Sequence, residues 1–175
     1  MVYVITGGPG FGKTTLINLL STLNFPVGKE AVRELLYSDD NVHEPGNAYQ
    51  FPMDFEKRIA MNRLNYLLTI EPETIAFADR GLPDQIAYSW FKNKIPSAFI
   101  VETAKANKYA PFVFITPPWK KIYIKDHVRK ENYEEALEIH GQIVRAYLKF
   151  DYKIVNLPLV NPESRIRFIM NFLGI

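Results

Sequence analysis

The 175 residues are 47% hydrophobic and 23% charged, with 21 Lys or Arg against 19 Asp or Glu and no cysteine. These are the proportions of a globular chain with a core of its own, expected as one domain over residues 1–175. The lack of cysteine excludes thiolate metal sites, iron–sulfur clusters and dithiol chemistry and fits a reducing, cytoplasmic compartment.

Strand-length apolar segments alternate with stretches of helical period from one end to the other, the pattern of a parallel sheet covered by helices. A first strand is expected over 2–6 and a helix over 12–23, then a strand over 25–28 and a helix over 29–37. Residues 38–51, with Asp, Asn, Pro and Gly, fit neither period and suggest a functional loop. Helix 53–70, strand 74–79 and helices 83–91 and 97–106 follow, with Pro83 suited to a first helical turn. After a strand over 111–116, residues 116–131 carry two prolines and five Lys or Arg and suggest a second functional loop. The clearest helical period runs over 132–150, where Ala136, Leu137, His140, Ile143, Val144, Tyr147 and Leu148 form one stripe. A fifth strand over 153–157 and a helix over 162–173, with Pro162 in its first turn, complete the chain.

No apolar run approaches the roughly 18 residues of a membrane span, and the first residues lack the basic region and cleavage site of an export signal. Near balance of charge, with neither half of the chain strongly basic, points away from nucleic acid.

The first strand runs directly into Gly7-Gly8-Pro9-Gly10-Phe11-Gly12-Lys13-Thr14, which satisfies G-x-x-x-x-G-K-[ST] between a buried strand and an amphipathic helix. Glycines let the chain turn so that successive N–H groups face one anion, and the helix N-terminus adds about half a positive charge. The expected nucleotide contacts are Gly8, Pro9, Gly10, Phe11, Gly12, Lys13, Thr14 and Thr15. Lys13 supplies a mobile charge for the β and γ phosphates, and Thr14 a hydroxyl for Mg²⁺, which prefers oxygen. Asp79, ending the third strand, is the expected second holder of the magnesium, through water. Arg80, at the tight Asp79-Arg80-Gly81 corner, is placed to reach a phosphate.

Ile5 to Thr14, Glu30-Ala31-Val32-Arg33 and Asp79-Arg80-Gly81-Leu82-Pro83-Asp84, in that order, resemble the NadR-type AAA family of P-loop proteins. The family is similar to ribosylnicotinamide kinase and, more distantly, to deoxynucleoside and thymidylate kinases. The resemblance implies a three-layer α/β fold with a five-stranded parallel sheet of order 2-3-1-4-5 and the nucleotide at the carboxyl ends of the strands. It implies Glu30 as the base that takes a proton from an acceptor hydroxyl, against the alternative of a first-turn helix glutamate. Arg33, one turn on, either pairs with Glu30 or binds acceptor phosphate. Asp84 either holds an acceptor hydroxyl or orients Arg80. The basic loop 117–130 lies where these kinases carry a lid, with Arg129 as first candidate for the lid cation and Lys125 as second.

The base should lie against residues 157–162. ATP is favoured over GTP, because the Asp-x-x-Gly switch and Asn-Lys-x-Asp box of GTPases are absent. His43, His127 and His140 form no metal motif. The expected function is a magnesium-dependent phosphotransferase or NTPase that passes the γ-phosphoryl of ATP to a small nucleoside-like acceptor. The alternative is a slowly hydrolysing ATP or GTP switch that captures a protein or an anionic lipid. A homodimer is compatible with either.

Overall fold

The computed structural model describes residues 1–29, 31, 53–123 and 131–175. Five parallel strands form one sheet: β1 (Val2–Thr6), β2 (Val27–Gly28), β3 (Ala76–Asp79), β4 (Phe112–Ile115) and β5 (Lys153–Asn156), in the order β2-β3-β1-β4-β5. This is the expected fold class and strand order. The central strand β1 sets the register, with Ile5 opposite Asp79 on one side and Thr6 opposite Ile115 on the other. Three strands start later than the apolar runs suggest; in β2 and β4 this is because Pro26 and Pro111 have no N–H to give the ladder and offer only carbonyls, to Phe77 and Lys153.

Six helices are described: α1 (Lys13–Thr22), α2 (Met53–Thr69), α3 (Leu82–Phe91), α4 (Ala98–Ala106), α5 (Tyr133–Lys149) and α6 (Pro162–Leu173). Alternation along the strands decides which layer each residue serves. Val2, Val4, Ala76, Ala78, Val113 and Ile115 face a core completed by Ala60 of α2, Ile86 of α3, Ile100 of α4 and Ile139, Ile143 and Tyr147 of α5. Tyr3, Ile5, Phe77 and Phe114 face the other core, filled by Leu16, Ile17 and Leu20 of α1 and Ile166 and Ile169 of α6. Both faces of the sheet are therefore covered by helices.

The buried stripe of α5 is rotated from the expected one. Ala136, Ile139, Ile143, Ala146 and Tyr147 are buried, whereas Leu137 and Leu148 are 38% and 55% exposed. The helix packs extensively on α3 through its buried residues, and the two leucines fall outside the contact. The expected helix over 29–37 and loop over 38–51 lie outside the described residues, apart from Lys29 and Ala31.

Candidate active site

Three strands deliver their last residues to one edge. Beyond β1 the chain reverses through the glycine-rich turn into α1. Gly7 adopts φ 140°, and an added Cβ there would lie 2.4 Å from Thr116 Oγ1, just past the end of β4. Gly12, at φ 88°, is the residue before α1, so the helix begins at Lys13 with its N–H groups open toward the turn. Lys13 is buried, and its Nζ folds back to donate to Gly8 O at 2.7 Å. That contact carries the ammonium across the mouth of the turn.

The turn is fastened from beneath and from one side. Phe11 is fully buried, with ring centroids of His140, Tyr133 and Tyr123 at 5.9, 6.2 and 6.4 Å. Its backbone oxygen accepts from Arg165 Nη1 at 3.3 Å, while Arg165 Nε donates to Pro158 O at 2.8 Å. Trp119 lies against the same guanidinium, 4.9 Å from ring centroid to Cζ. Arg165 thus ties the turn to the segment after β5, where the base is expected, and to the start of the basic loop. Burial first and the nearby Lys13 charge second lower the pKa of His140 to about 4, so this ring is neutral near pH 7.

Asp79 ends β3 directly beside the turn and is buried; Thr14 Oγ1 donates to its Oδ2 at 3.4 Å. A hydroxyl and a carboxylate facing each other at this separation are the oxygen donors a magnesium ion takes, and the remaining positions would fall to water and phosphate. The residues therefore fit the ion.

Arg80 follows in the left-handed region at φ 72°, a conformation that costs an ordinary residue roughly 1–2 kcal/mol. Its N–H donates to Ile5 O at 3.1 Å, and its guanidinium donates to Gly7 O at 3.4 Å and Asp84 Oδ1 at 3.3 Å and covers the Tyr88 ring. The strained backbone aims the side chain back at the glycine-rich turn.

Asp84, in the first turn of α3, is fully buried. Its Oδ1 accepts from Thr6 Oγ1 as well as Arg80, and its Oδ2 from Gly81 N at 2.8 Å and Tyr147 Oη at 2.6 Å. Burial, and then the neighbouring carboxylate, push the Tyr147 phenol well above its usual range, so it stays a donor. Of the two roles expected for Asp84, this geometry favours orienting Arg80.

Beside Arg80 lies a cavity of about 280 Å³ between the end of β2, α2 and β3, lined among others by Gly28, Lys29, Arg63, Tyr66, Arg80 and Tyr109. Sequence reasoning missed Arg63, Tyr109, Tyr147 and Arg165. The two arginines had a signal: Arg63 continues the apolar stripe Phe55, Ile59, Ala60 of α2, and Arg165 precedes the buried pair Ile166 and Ile169 of α6. An arginine on an apolar stripe is buried for a reason. Glu30, Arg33, Lys125 and Arg129, along with His43 and His127, lie outside the described residues.

A cradle on the first strand, an aspartate ending the third and an arginine after it match one family over residues 2–165, described as an AAA domain. The chain belongs to that AAA domain family. Among solved structures, the NadR protein in complex with NR is similar over 99% of this chain and 52% of its own, at 22% identity and TM-score 0.75. The chain thus spans about half the length of that protein. Thymidylate kinase from Ehrlichia chaffeensis is similar at 15% identity and TM-score 0.64, over 99% of this chain and 98% of its own. Deoxyadenosine kinase from M. mycoides, with products bound, is similar at 18% identity and TM-score 0.65, again over 99% and 98%. No curated protein matches the chain in sequence. The AAA domain thus has the P-loop kinase fold of these neighbours.

Proposed function

We propose that this AAA domain is a magnesium-dependent kinase, acting as one unit over residues 1–175 in the cytoplasm. It would pass the γ-phosphoryl of ATP to a small nucleoside-like acceptor. The observation that carries the reading is the convergence of Lys13, the Thr14–Asp79 pair and Arg80 on one strand edge, with a half-open cavity next to Arg80. A hydrolysing switch needs the first three but has no use for a cavity of small-molecule size. The kinase neighbours agree with this reading at the level of fold.

In this mechanism the turn from Gly8 to Thr15 and the N-terminus of α1 hold the triphosphate through backbone N–H groups, and Lys13 exchanges Gly8 O for phosphate oxygens. Thr14 would ligate the magnesium directly and Asp79 through water; when bound, the ion neutralises charge on the β and γ phosphates. Arg80, held by Asp84, neutralises charge on the phosphoryl group in flight. Glu30 takes the proton of the acceptor hydroxyl, Arg33 binds the acceptor, and Arg129 closes over the γ phosphate; these roles follow from the family resemblance. GTP in place of ATP, and a homodimer, are compatible variants of the same site.

ADP formation from Mg-ATP, alone and with a pool of nucleosides, tests the proposal, with Lys13→Ala as the blank. Acceptor-stimulated ADP that vanishes in Lys13→Ala is expected. Tight nucleotide binding without acceptor-dependent turnover would replace the kinase with the nucleotide-gated binding module.

A further inference from the structure

The cavity beside Arg80 holds more positive charge than a neutral acceptor needs. Of its described lining residues, Lys29, Arg63 and Arg80 are cations and none is an acid. Arg80 is engaged by Asp84 and Gly7. Arg63 is not similarly satisfied: it is 6% exposed, and its Nε and Nη1 are buried without a hydrogen-bond partner. Arginine does not escape burial by losing its proton, so an unsatisfied guanidinium carries the full desolvation cost of its charge. If the position served packing alone, Leu or Met would fill it at lower cost.

A second buried polar group lies on the same wall. Tyr109 is 5% exposed, and the backbone of Leu82 lies within hydrogen-bonding reach of its hydroxyl. Burial raises the pKa of this phenol, and the Arg63 charge partly opposes the rise, which places the two groups within electrostatic reach of each other. A guanidinium is a donor without acceptor capacity and carries a fixed positive charge, and the phenol beside it can add an O–H donor, so the pair suits a ligand group with several lone pairs and a negative charge. The volume, about 280 Å³, lies at the lower edge of small-ligand clefts, and the site sits at the carboxyl ends of β2 and β3 where such sheets bind ligands.

We propose that the acceptor carries a negatively charged group, a phosphate monoester or a carboxylate, and that Arg63 is the residue that selects it. The inference rests on the kinase reading for the word acceptor; the anion site itself does not. Arg63 is a specificity-determining residue here, and the chemistry of transfer remains with Lys13 and Arg80.

The test is calorimetric titration of the full chain with matched pairs. Each common ribonucleoside is compared with its 5′-monophosphate, and uridine with orotidine, which adds a carboxylate to the same base. At least one charged member should bind ten-fold or more tightly than its neutral counterpart, and the pair that shows it identifies phosphate or carboxylate as the source. Arg63→Gln should lower that affinity by roughly 10- to 100-fold, the range of a charge-assisted hydrogen bond, with Mg-ATP affinity retained and partial recovery in Arg63→Lys. Equal or tighter binding of every neutral member, binding of no member, or undiminished discrimination in Arg63→Gln overturns the proposal. The wild-type pairs decide the matter even where the variant does not fold. ADP release is followed on the same samples. Turnover stimulated only by neutral nucleosides overturns the charged acceptor and leaves the kinase standing, whereas Arg63-dependent binding without turnover does the reverse.

Discussion

The Asp84 carboxylate receives four donors from three places in the chain: the Thr6 hydroxyl at the end of β1, the guanidinium of Arg80 with the adjacent Gly81 N–H, and the phenol of Tyr147 on α5. Each donor is matched to an anionic acceptor in a dry site, where charge-assisted bonds are strong and an orphaned group is costly. Asp84→Asn turns one accepting oxygen into a donor facing donors. A destabilisation of about 3–5 kcal/mol is expected, with Tyr147→Phe milder at about 1.5–3 kcal/mol. Thermal or denaturant unfolding measures both, and wild-type stability in Asp84→Asn would contradict the buried network. At this scale the phosphate cradle was legible because its residues are contiguous and each has a chemical reason to be there. Tyr147 was not, since a tyrosine at helical spacing looks like core, and only the distant Asp84 reveals what its hydroxyl does. Asp84 itself was ambiguous between binding and orienting, because the sequence does not say how many donors converge on it.

Among the elements, α5 carries the site's support although it contributes none of the expected phosphate ligands. It supplies Tyr147 to Asp84 and His140 to the ring cluster under Phe11, and its start is set by a reciprocal cap. Asn132 Oδ1 accepts from Glu135 N at 2.8 Å, and Glu135 Oε2 accepts from Asn132 N at 2.7 Å. Asn132→Ala should cost about 1 kcal/mol, lowering the melting temperature by roughly 2–4 °C for a domain of this size. A calorimetric scan showing no change would mean the first turn is held by other contacts. Helix α5 was plainly visible as a helix, whereas its buried face was not. Periodicity marks a stripe, but the choice between Leu137 and Ile139 depends on which neighbour the helix meets, and α3 comes from fifty residues away.

For the whole molecule, the sheet order and both layers were legible from alternation plus family resemblance, and the cavity beside Arg80 was not, since it forms where β2, α2 and β3 meet. The buried His140 links this architecture to pH. Its pKa falls from the usual 6.5 to about 4 on folding, by burial first and by the Lys13 charge second. The unfolded chain therefore binds more protons between these values, so stability is full above about pH 6.5 and declines as pH falls toward 4. His140→Gln should flatten the decline in that window, measured as unfolding midpoints at stepped pH; an unchanged slope would assign the acid sensitivity elsewhere. A triphosphate beside Lys13 would offset the cation that depresses His140, and should raise the ring's pKa in an NMR titration.

The central position of β1 has a consequence for biosynthesis. Val2 pairs with Ala76, and Val4 pairs with Val113, so β1 leaves the ribosome before either of its neighbours has been made. Until then Val2, Tyr3, Val4 and Ile5, all buried in the finished protein, lack the partners that cover them, and this apolar strand is a segment for a chaperone to shield.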